Sequence, residues 1–200
     1  MSFVHLHVHS HYSLLDRMST IPDLVNKAIA TGMPAIALTD HGNMFGVKEF
    51  FDFVSKKNKG KEPENQLKPI IGCEAYVATN KLTDKKGDVD RSGDHLILLA
   101  KNKVGYKNLC KLVSISWIDG FYYRPRIDKE SLKMYSEGLI VCSACLGGEI
   151  PQHIMNGKPE KAEEAIRWFK DVFGDDYYLE LQRHKTTKPN ADYTTYEKQL

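Results

Sequence analysis

The chain alternates short apolar runs with longer stretches that have a helical pattern of apolar positions. Between the runs, apolar residues recur at the i, i+3, i+4 spacing of a helix with one buried face. The expected strands are Phe3–Val8, Ala35–Thr39, Pro69–Val77, Leu96–Ala100, Leu139–Cys142 and Tyr177–Leu181. The expected helices are Ile21–Thr31, Met44–Lys56, Val104–Ser116 and Pro159–Phe173. This order predicts an α/β fold in which helices cover a parallel sheet.

Polar segments separate several of these elements. Lys56–Lys68 and Asn80–Asp94 are rich in Lys, Asp, Glu and Gly, so both are expected to be exposed loops. Asn190–Leu200 has the pattern of a helix that has only begun, and the chain is therefore expected to be a piece of a longer protein. A Gly-x-Gly-x-x-Gly motif does not follow the first strand, which argues against a dinucleotide-binding sheet. A barrel and an open, doubly wound sheet both remain.

Composition narrows the class of protein. The chain is 42% hydrophobic, enough for a packed core, and its net charge of +2 is low for a purely electrostatic nucleic-acid binder. Apolar runs fall short of the roughly 18–20 residues of a membrane helix. The amino terminus lacks the features of a signal peptide, and the four cysteines are not spaced like a disulfide framework. We therefore expect a cytoplasmic protein without membrane contact.

Histidines recur at every second position near the amino terminus, at His5, His7, His9 and His11. On a strand they would share one face, with neighbouring rings about 6.5–7 Å apart. Two such rings can converge on a metal ion at a strand end. The alternative is a solvated polar face, and all four side chains cannot bind one ion.

Metal-binding residue types also stand at or near the ends of other expected strands. Asp40 and His41 end an apolar strand, where α/β barrels gather their active sites, although an Asp-Gly turn is an alternative. Glu74 interrupts a buried strand, and a buried carboxylate is costly unless it is paired or bound to metal. His95 falls at the amino end of its strand, which is the wrong end for a barrel site, and the sequence does not resolve this conflict.

Three further sites carry candidate residues. Asp16, taken alone, is most often a turn or cap residue; Cys142 and Cys145 form a redox pair, or Cys145 alone binds metal. Glu180 and His184 lie at or beyond the last strand, and Glu180 equally suits an ion pair with Lys or Arg. Nitrogen, oxygen and sulfur ligands from several strands together indicate more than one divalent ion of the zinc, manganese or iron kind. Such a site activates water and neutralises phosphate charge during hydrolysis.

These residues lie in motifs that resemble the PHP (polymerase and histidinol phosphatase) family. The motifs are His-Leu-His-Val-His-Ser at the start, Thr-Asp-His-Gly-Asn, Gly-Cys-Glu and the His-Leu of His95. Four more stretches are similar to the PHP domains of bacterial DNA polymerase III alpha subunits: Lys68–Val77, Gly105–Leu109, Gly120–Asp128 and Leu146–Pro151. The resemblance covers essentially the whole chain.

The resemblance implies a distorted, TIM-like (β/α)7 barrel, of which residues 1–200 are one PHP domain cut before its last strands. Palm, fingers and thumb of a polymerase would lie outside this chain. It also implies a site for up to three zinc, manganese or iron ions. We expect His5, Asp40, Glu180 and His184 to be supporting positions around that site. The implied ligands are His7, His9, Asp16, His41, Glu74, His95 and Cys145. Arg17 follows Asp16 where relatives commonly have Gly.

The function implied is DNA replication, with a metal-dependent phosphoesterase that proofreads as a 3′–5′ exonuclease. One alternative is a non-catalytic module that stabilises the polymerase or docks a separate proofreading subunit. Another is a free-standing phosphatase of the histidinol phosphate type, against which Gly120–Asp128 counts. Expected partners are the rest of the alpha subunit, a DNA primer-template, the sliding clamp and the clamp loader.

One aromatic and basic stretch has two interpretations. Tyr122, Tyr123, Arg124 and Arg126 are suited to stacking on single-stranded DNA and neutralising its phosphates. A loop that packs on the barrel or on another domain is the preferred alternative, so these residues are not assigned to a site.

Overall fold

The computed structural model describes residues 3–14 and 18–182, in which helices surround one mixed sheet. The strands in this part of the chain are β1 (Ala35–Leu38), β2 (Lys68–Val77), β3 (Asp94–Ala100), β4 (Arg126–Ile127), β5 (Leu139–Cys142) and β6 (Tyr177–Tyr178). The helices are α1 (Ile21–Ala30), α2 (Val47–Asn58), α3 (Lys103–Ile118), α4 (Lys129–Met134), α5 (Glu149–Met155) and α6 (Pro159–Phe173). The α/β class is therefore as predicted.

Strand β2 pairs with β1, β3 and β4. The order of the sheet is β1-β2-β3-β5-β6, with β4 beside β2 off this path. The first residues of β2 pair in parallel with β1, and the residues from Gly72 onward pair with β3. The short strand β4 lies parallel to the last two residues of β2. Gly72 stands at the change of partner, where a Cβ atom would lie 2.6 Å from the carbonyl oxygen of Leu98. A side chain there would force these strands apart.

The prediction of a wholly parallel sheet is wrong at β3, which runs antiparallel to both β2 and β5. Parallel neighbours require a long crossover, usually a helix. The connection between β2 and β3 instead contains only one 3-10 turn, Asp88–Asp90, so the chain returns in the opposite direction. The amino end of β3 therefore lies beside the carboxyl ends of β2 and β5.

The predicted strand Phe3–Val8 is also wrong as a regular strand. This segment runs extended beside β1, and its carbonyls at His5 and Val8 accept hydrogen bonds from Ala37 N (3.0 Å) and Thr39 N (2.8 Å). The amide of Val8 donates to the side-chain Oγ1 of Thr39 at 2.8 Å, where a regular ladder would use a backbone carbonyl. The segment still brings the histidines to the carboxyl end of β1.

Agreement elsewhere depends on the length of each element. Leu139–Cys142 and Pro159–Phe173 have the predicted bounds, whereas Tyr177–Leu181 shortens to the two residues of β6. The sequence prediction omitted β4, α4 and α5, which are too short to show a clear period. The helical start expected at Asn190–Leu200 lies outside the described residues.

The two faces of the sheet bury different clusters. Alternate residues of β3 show this, since Leu98 packs with α3 and α6 in the largest core, and Ile97 packs on the other face with Ala37. A third cluster lies between α1, α2 and β1, around Val25 and Phe50. No helix in the described part of the chain is both long and apolar enough to cross a membrane.

Arg126 is the largest fully buried side chain in the described residues, and it braces the connection between β2 and β3. Its guanidinium donates hydrogen bonds to four backbone carbonyls, those of Leu82, Asp84, Asp90 and Gly120. A buried guanidinium is stable here because these dipoles replace water. Arg126 is thus structural and unavailable to nucleic acid.

Replacing Arg126 should therefore destabilise the fold. We expect Arg126→Met to lower the free energy of unfolding by about 2–4 kcal/mol, because several buried carbonyls lose their donor. Urea denaturation monitored by circular dichroism measures this change. The same substitution at exposed Arg167, which pairs with Glu163 on α6, should cost no more than about 0.5 kcal/mol. Equal costs for the two variants would contradict the bracing role.

Candidate metal centre

The carboxylate of Glu74 is the point on which the candidate ligands converge. Glu74 is only 2% exposed and lies near the carboxyl end of β2. Its Oε2 atom lies 3.1 Å from His7 Nε2, 2.7 Å from His9 Nε2 and 3.8 Å from His41 Nε2. Its Oε1 atom lies 3.0 Å from His95 Nδ1. Four imidazoles from three parts of the chain thus surround one buried carboxylate.

The sheet topology explains how these residues meet. His41 follows β1 and forms a parallel bridge with Glu74, whose carbonyl accepts a hydrogen bond from Gly42 N at 2.8 Å. His95 lies near the amino end of β3, and the antiparallel direction of that strand brings it to the same edge as Glu74. The sequence places His95 at the amino end of its strand, which is the wrong end for the site only if β3 is parallel to β2. Because β3 is antiparallel, its amino end lies beside Glu74.

Two groups of three side chains in the described residues have the geometry to hold a metal ion. They are His7, His9 and Glu74, and His41, Glu74 and His95; within each group the ligating atoms lie within 4.8 Å of one another. Glu74 belongs to both groups, and its Oε2 atom faces His7, His9 and His41 while its Oε1 atom faces His95. A carboxylate so placed can bridge two ions.

Cys145 extends the second group. Its Sγ atom lies 3.4 Å from His95 Nδ1 and 3.7 Å from Glu74 Oε1. Cys142, by contrast, is buried in the cluster that contains Ala37 and Ile97 on one face of the sheet, and burial raises the pKa of its thiol to about 12. Both cysteines are free thiols. The structure thus places Cys145 alone beside the other candidate ligands.

Glu180 supports His7 from behind. The Oε1 atom of Glu180 lies 2.9 Å from His7 Nδ1 and accepts a hydrogen bond from Gln182 Nε2 at 2.7 Å. The backbone N–H of Glu180 donates a hydrogen bond to Ser143 Oγ at 2.8 Å. A carboxylate on one ring nitrogen fixes the tautomer and leaves the other nitrogen free for a metal. Within the described residues Glu180 pairs with this histidine rather than with a Lys or Arg.

Asp40 orients the other side of the centre through two serines. It is buried and accepts hydrogen bonds from Ser10 N (2.7 Å), Ser10 Oγ (2.8 Å) and Ser13 Oγ (2.8 Å). Ser13 Oγ also accepts from His41 N (3.0 Å) and lies 2.8 Å from His9 Nδ1. Because the single hydroxyl hydrogen of Ser13 goes to Asp40, His9 Nδ1–H must be the donor. The Nε2 atom of a neutral His9 then points its lone pair at the centre.

Some predicted positions lie away from the centre. The ring of His5 is exposed and packs edge-on against Phe3, with 4.8 Å between centroids, and His11 packs on Tyr12. Asp16 and His184 lie outside the described residues. His5 therefore forms none of the described hydrogen bonds to the candidate ligands.

Several contributing residues were not identified from the sequence. Ser10 and Ser13 lead to Asp40, Gln182 contacts Glu180, and Tyr76 stacks on His41 with centroids 4.3 Å apart and planes at 12°. Two signals were available: Ser10 lies inside the histidine repeat, between His9 and His11, and Gln182 lies two positions from Glu180. The sequence contains no comparable signal for Ser13 or Tyr76.

The electrostatics describe a cluster of opposite charges. Burial alone would lower the pKa of His7, but hydrogen bonds to Glu180 and Glu74 outweigh it and raise that pKa to about 10. The pKa of His95 rises to about 9 because Cys145 and Glu74 likewise outweigh burial. Burial would raise the pKa of Glu74, but hydrogen bonds from His7, His9 and His95 hold it far below its usual range. A metal ion must therefore displace protons from imidazoles.

Comparison with known proteins places this geometry in context. A family model described as PHP domain matches residues 5–184. The chain is 56% identical over 183 residues to a DNA polymerase III subunit alpha of Borreliella burgdorferi, covering 91% of this chain and 15% of that protein. The corresponding proteins of Treponema pallidum and Chlamydia pneumoniae are 47% and 46% identical, over 92% and 94% of this chain and 15% and 14% of theirs. The chain thus spans about 15% of the length of these relatives.

The raised pKa values predict opposite pH trends with and without metal. His7 and His95 have folded-state pKa values above the ordinary 6.5, so their stabilising charge is fully present below pH 6.5 and is lost as the pH rises toward about 9–10. In EDTA the melting temperature should therefore fall across this window. With manganese, the increase in melting temperature over the EDTA sample should grow as the pH rises, because neutral imidazoles bind the ion. Differential scanning fluorimetry measures both, and a flat curve in EDTA would contradict the charge cluster.

Loss of the carboxylate behind His7 should weaken metal binding. We expect Glu180→Gln to lower manganese affinity about 10- to 100-fold, because the amide holds the imidazole less firmly in its ligating orientation. Isothermal titration calorimetry measures the affinity. Glu163→Gln, at an exposed position on α6, is the matched control and should bind like the parent. An unchanged affinity in Glu180→Gln would show that His7 needs no such support.

Proposed function

The chain belongs to the PHP domain family, and from this premise we propose that it is the amino-terminal domain of a bacterial replicative polymerase alpha subunit and acts as a metal-dependent phosphoesterase. The observation that carries the proposal is the convergence of four imidazoles and one thiol on the buried carboxylate of Glu74. Buried charge of this kind is costly unless the groups serve one another or an ion. The centre lies beside the carboxyl ends of β1 and β2, and α/β barrels gather their active sites at the carboxyl ends of their strands.

The donor set fits divalent zinc, manganese or iron. Imidazole, carboxylate and thiolate are the ligands these ions share, and the two groups that meet at Glu74 correspond to two ion positions. We propose a multinuclear site of up to three ions, with Asp16 as an additional ligand. Bound ions would supply Lewis acidity and neutralise phosphate charge during hydrolysis.

The proposed substrate is the 3′ end of a DNA strand, which makes the domain a 3′–5′ proofreading exonuclease. The centre lies on the wall of an open cleft between the amino-terminal segment and the end of β6, with His7 and Glu180 in its lining. Glu180 and Asp40 hold the imidazoles of His7 and His9 in fixed orientations, so little reorganisation is needed when a phosphodiester arrives.

The wider assignment follows from the polymerase relatives. We propose that further segments of a longer protein complete a distorted (β/α)7 barrel around the described sheet. The rest of the alpha subunit, the primer-template, the sliding clamp, the clamp loader and a cytoplasmic location belong to the same proposal. The polymerase carboxylates are expected outside residues 1–200, so the chain alone should not synthesise DNA. The relatives compared are polymerase subunits, which disfavours a free-standing phosphatase.

A non-catalytic role is the second candidate, and one observation favours it. Glu74 already joins the amino-terminal segment, the end of β1 and the start of β3 through ion pairs. A metal ion at that junction would fasten the same elements together whether or not hydrolysis takes place. The domain would then stabilise the polymerase or dock a separate proofreading subunit.

A nuclease assay separates these candidates. We expect the complete alpha subunit, supplied with manganese or zinc, to shorten a mismatched primer, and His7→Ala/His9→Ala to reduce the rate at least about 100-fold. His153→Ala is the matched control, since His153 lies on α5 and its ion-pair contact is with Glu149, which is not a candidate ligand. Gel analysis of end-labelled primers gives the rates.

The opposite pattern would support the structural role. Trimming that is absent, or equal in parent and double variant, rejects the exonuclease. If the double variant also melts at a lower temperature in the presence of metal, the ions serve the fold instead.

A further inference from the structure

Three exposed aromatic side chains form a surface beside the metal centre. We call Phe45, Trp117 and Phe121 the aromatic shelf; they are 59%, 42% and 45% exposed. The rings of Trp117 and Phe121 stack with centroids 5.6 Å apart and planes at 20°, and Phe45 lies 5.8 Å from Trp117. Neighbouring exposed rings of this kind make the surface a candidate interaction site.

The aromatic shelf is attached to the residue that follows a candidate ligand. Trp117 Nε1 donates a hydrogen bond to the carbonyl of Gly42 at 2.8 Å, and Gly42 directly follows His41. Gly42 has a φ of +67°, and a Cβ atom there would lie 2.7 Å from Pro125 Cγ. The shelf, the centre and the turn before Pro125 thus meet around one glycine.

That turn presents a cation next to the centre. Arg124 is exposed, and its guanidinium carbon lies 5.6 Å from the ring centroid of Tyr76, which stacks on His41. Within residues 3–14 and 18–182, no carboxylate lies within ion-pair distance of Arg124. Arg91, in contrast, pairs with Asp88. The Arg124 charge is therefore available to an anionic ligand.

The conformation of the turn is strained and braced. Tyr123 has a φ of +60°, a left-handed conformation that is uncommon for a tyrosine and costs of order 1 kcal/mol or more. The guanidinium of Arg91 lies 4.2 Å from the Tyr123 ring centroid and so covers that ring. The hydrogen bond from Tyr122 N to Arg124 O closes the turn at 3.0 Å. Strain of this kind persists where the surroundings fix it, often at ligand sites.

We propose that the aromatic shelf and Arg124 bind the single-stranded end of a polynucleotide and guide it to the metal centre. Unpaired bases stack on Trp117 and Phe121, and a backbone phosphate pairs with Arg124. Flat aromatic faces beside an unpaired arginine match the alternation of bases and phosphates in a single strand. A duplex hides its base faces, and an apolar protein partner would leave the arginine without a counter-ion. This inference rests on the proposed function, since it names how the same site holds its substrate.

Binding without catalysis tests the shelf. The 200-residue chain carries two tryptophans, so Trp168→Phe leaves Trp117 as the only indole. A single strand of about four thymidines, within the range of short binding sites, is titrated in EDTA so that no hydrolysis occurs. We expect the strand to quench Trp117 fluorescence, and an abasic strand with the same phosphates to leave it unchanged. A blunt duplex should not quench it either.

Variants separate stacking from charge. Phe121→Leu should weaken binding at least about fivefold by loss of stacking. Arg124→Gln should weaken it by a similar factor and lower the salt slope of log affinity by about 0.7, the value for one phosphate of a single strand. Binding of these variants is followed by the anisotropy of a labelled strand. Because both positions are exposed, thermal melting should show unchanged folding.

Two controls match these variants. Tyr106→Leu changes an exposed ring on the same helix as Trp117, about 16 Å away along its axis. Arg167→Gln removes an exposed arginine on α6. Neither should alter affinity.

The outcomes are decisive for the surface and separate from the nuclease question. Absent binding, or binding equally sensitive to shelf and control variants, overturns the proposal and points to a protein partner for the shelf. If the chain binds the strand through the aromatic shelf but the complete alpha subunit fails to trim primers, the exonuclease is rejected and the binding surface is retained.

Discussion

The burial of one negative charge organises this part of the chain. Glu74 occupies an otherwise apolar strand, and its carboxylate is almost wholly removed from water. An unpaired charge in that position would cost several kcal/mol, so the fold must surround it with donors. The amino-terminal segment contributes two imidazoles, and the turn after β1 and the start of β3 contribute one each. The same electrostatic requirement therefore holds the elements together and assembles the centre.

Much of this arrangement is written in the sequence. Period-two histidines, a carboxylate inside an apolar run and polar residues just after apolar runs single out the amino-terminal histidines, His41 and Glu74 as candidates without any structure. The choice of His7 and His9 among the four alternating histidines came from the resemblance to the PHP motifs. The long helix α6 and the strand β5 are equally clear, because their apolar periods continue over their whole length. Local pattern therefore sufficed wherever an element or ligand depended on its own neighbours.

What the sequence did not reveal depends on contacts between distant segments. The direction of β3 follows from a connection without a crossover helix, and a local pattern of apolar residues is the same in either direction. Ser13 and Tyr76 act through residues far away in the chain, such as Asp40 and His41. Arg126 lies in an aromatic and basic stretch for which the sequence left both a DNA-binding surface and a packed loop open, with the packed loop preferred, and the structure encloses it in four carbonyls. Composition cannot distinguish an arginine that binds backbone from one that faces solvent.

The two halves of the centre are built on supports of different kinds. His95 and Glu74 lie on adjacent strands of one continuous ladder, which fixes their separation to the spacing of a β-sheet. His7 and His9 belong to a segment that meets β1 through two backbone hydrogen bonds and the side chain of Thr39. Side chains therefore fix this half of the centre, since Asp40 holds Ser10 and Glu180 holds His7. Each half rests on its own kind of support, so one can be altered by substitution while the other keeps its geometry.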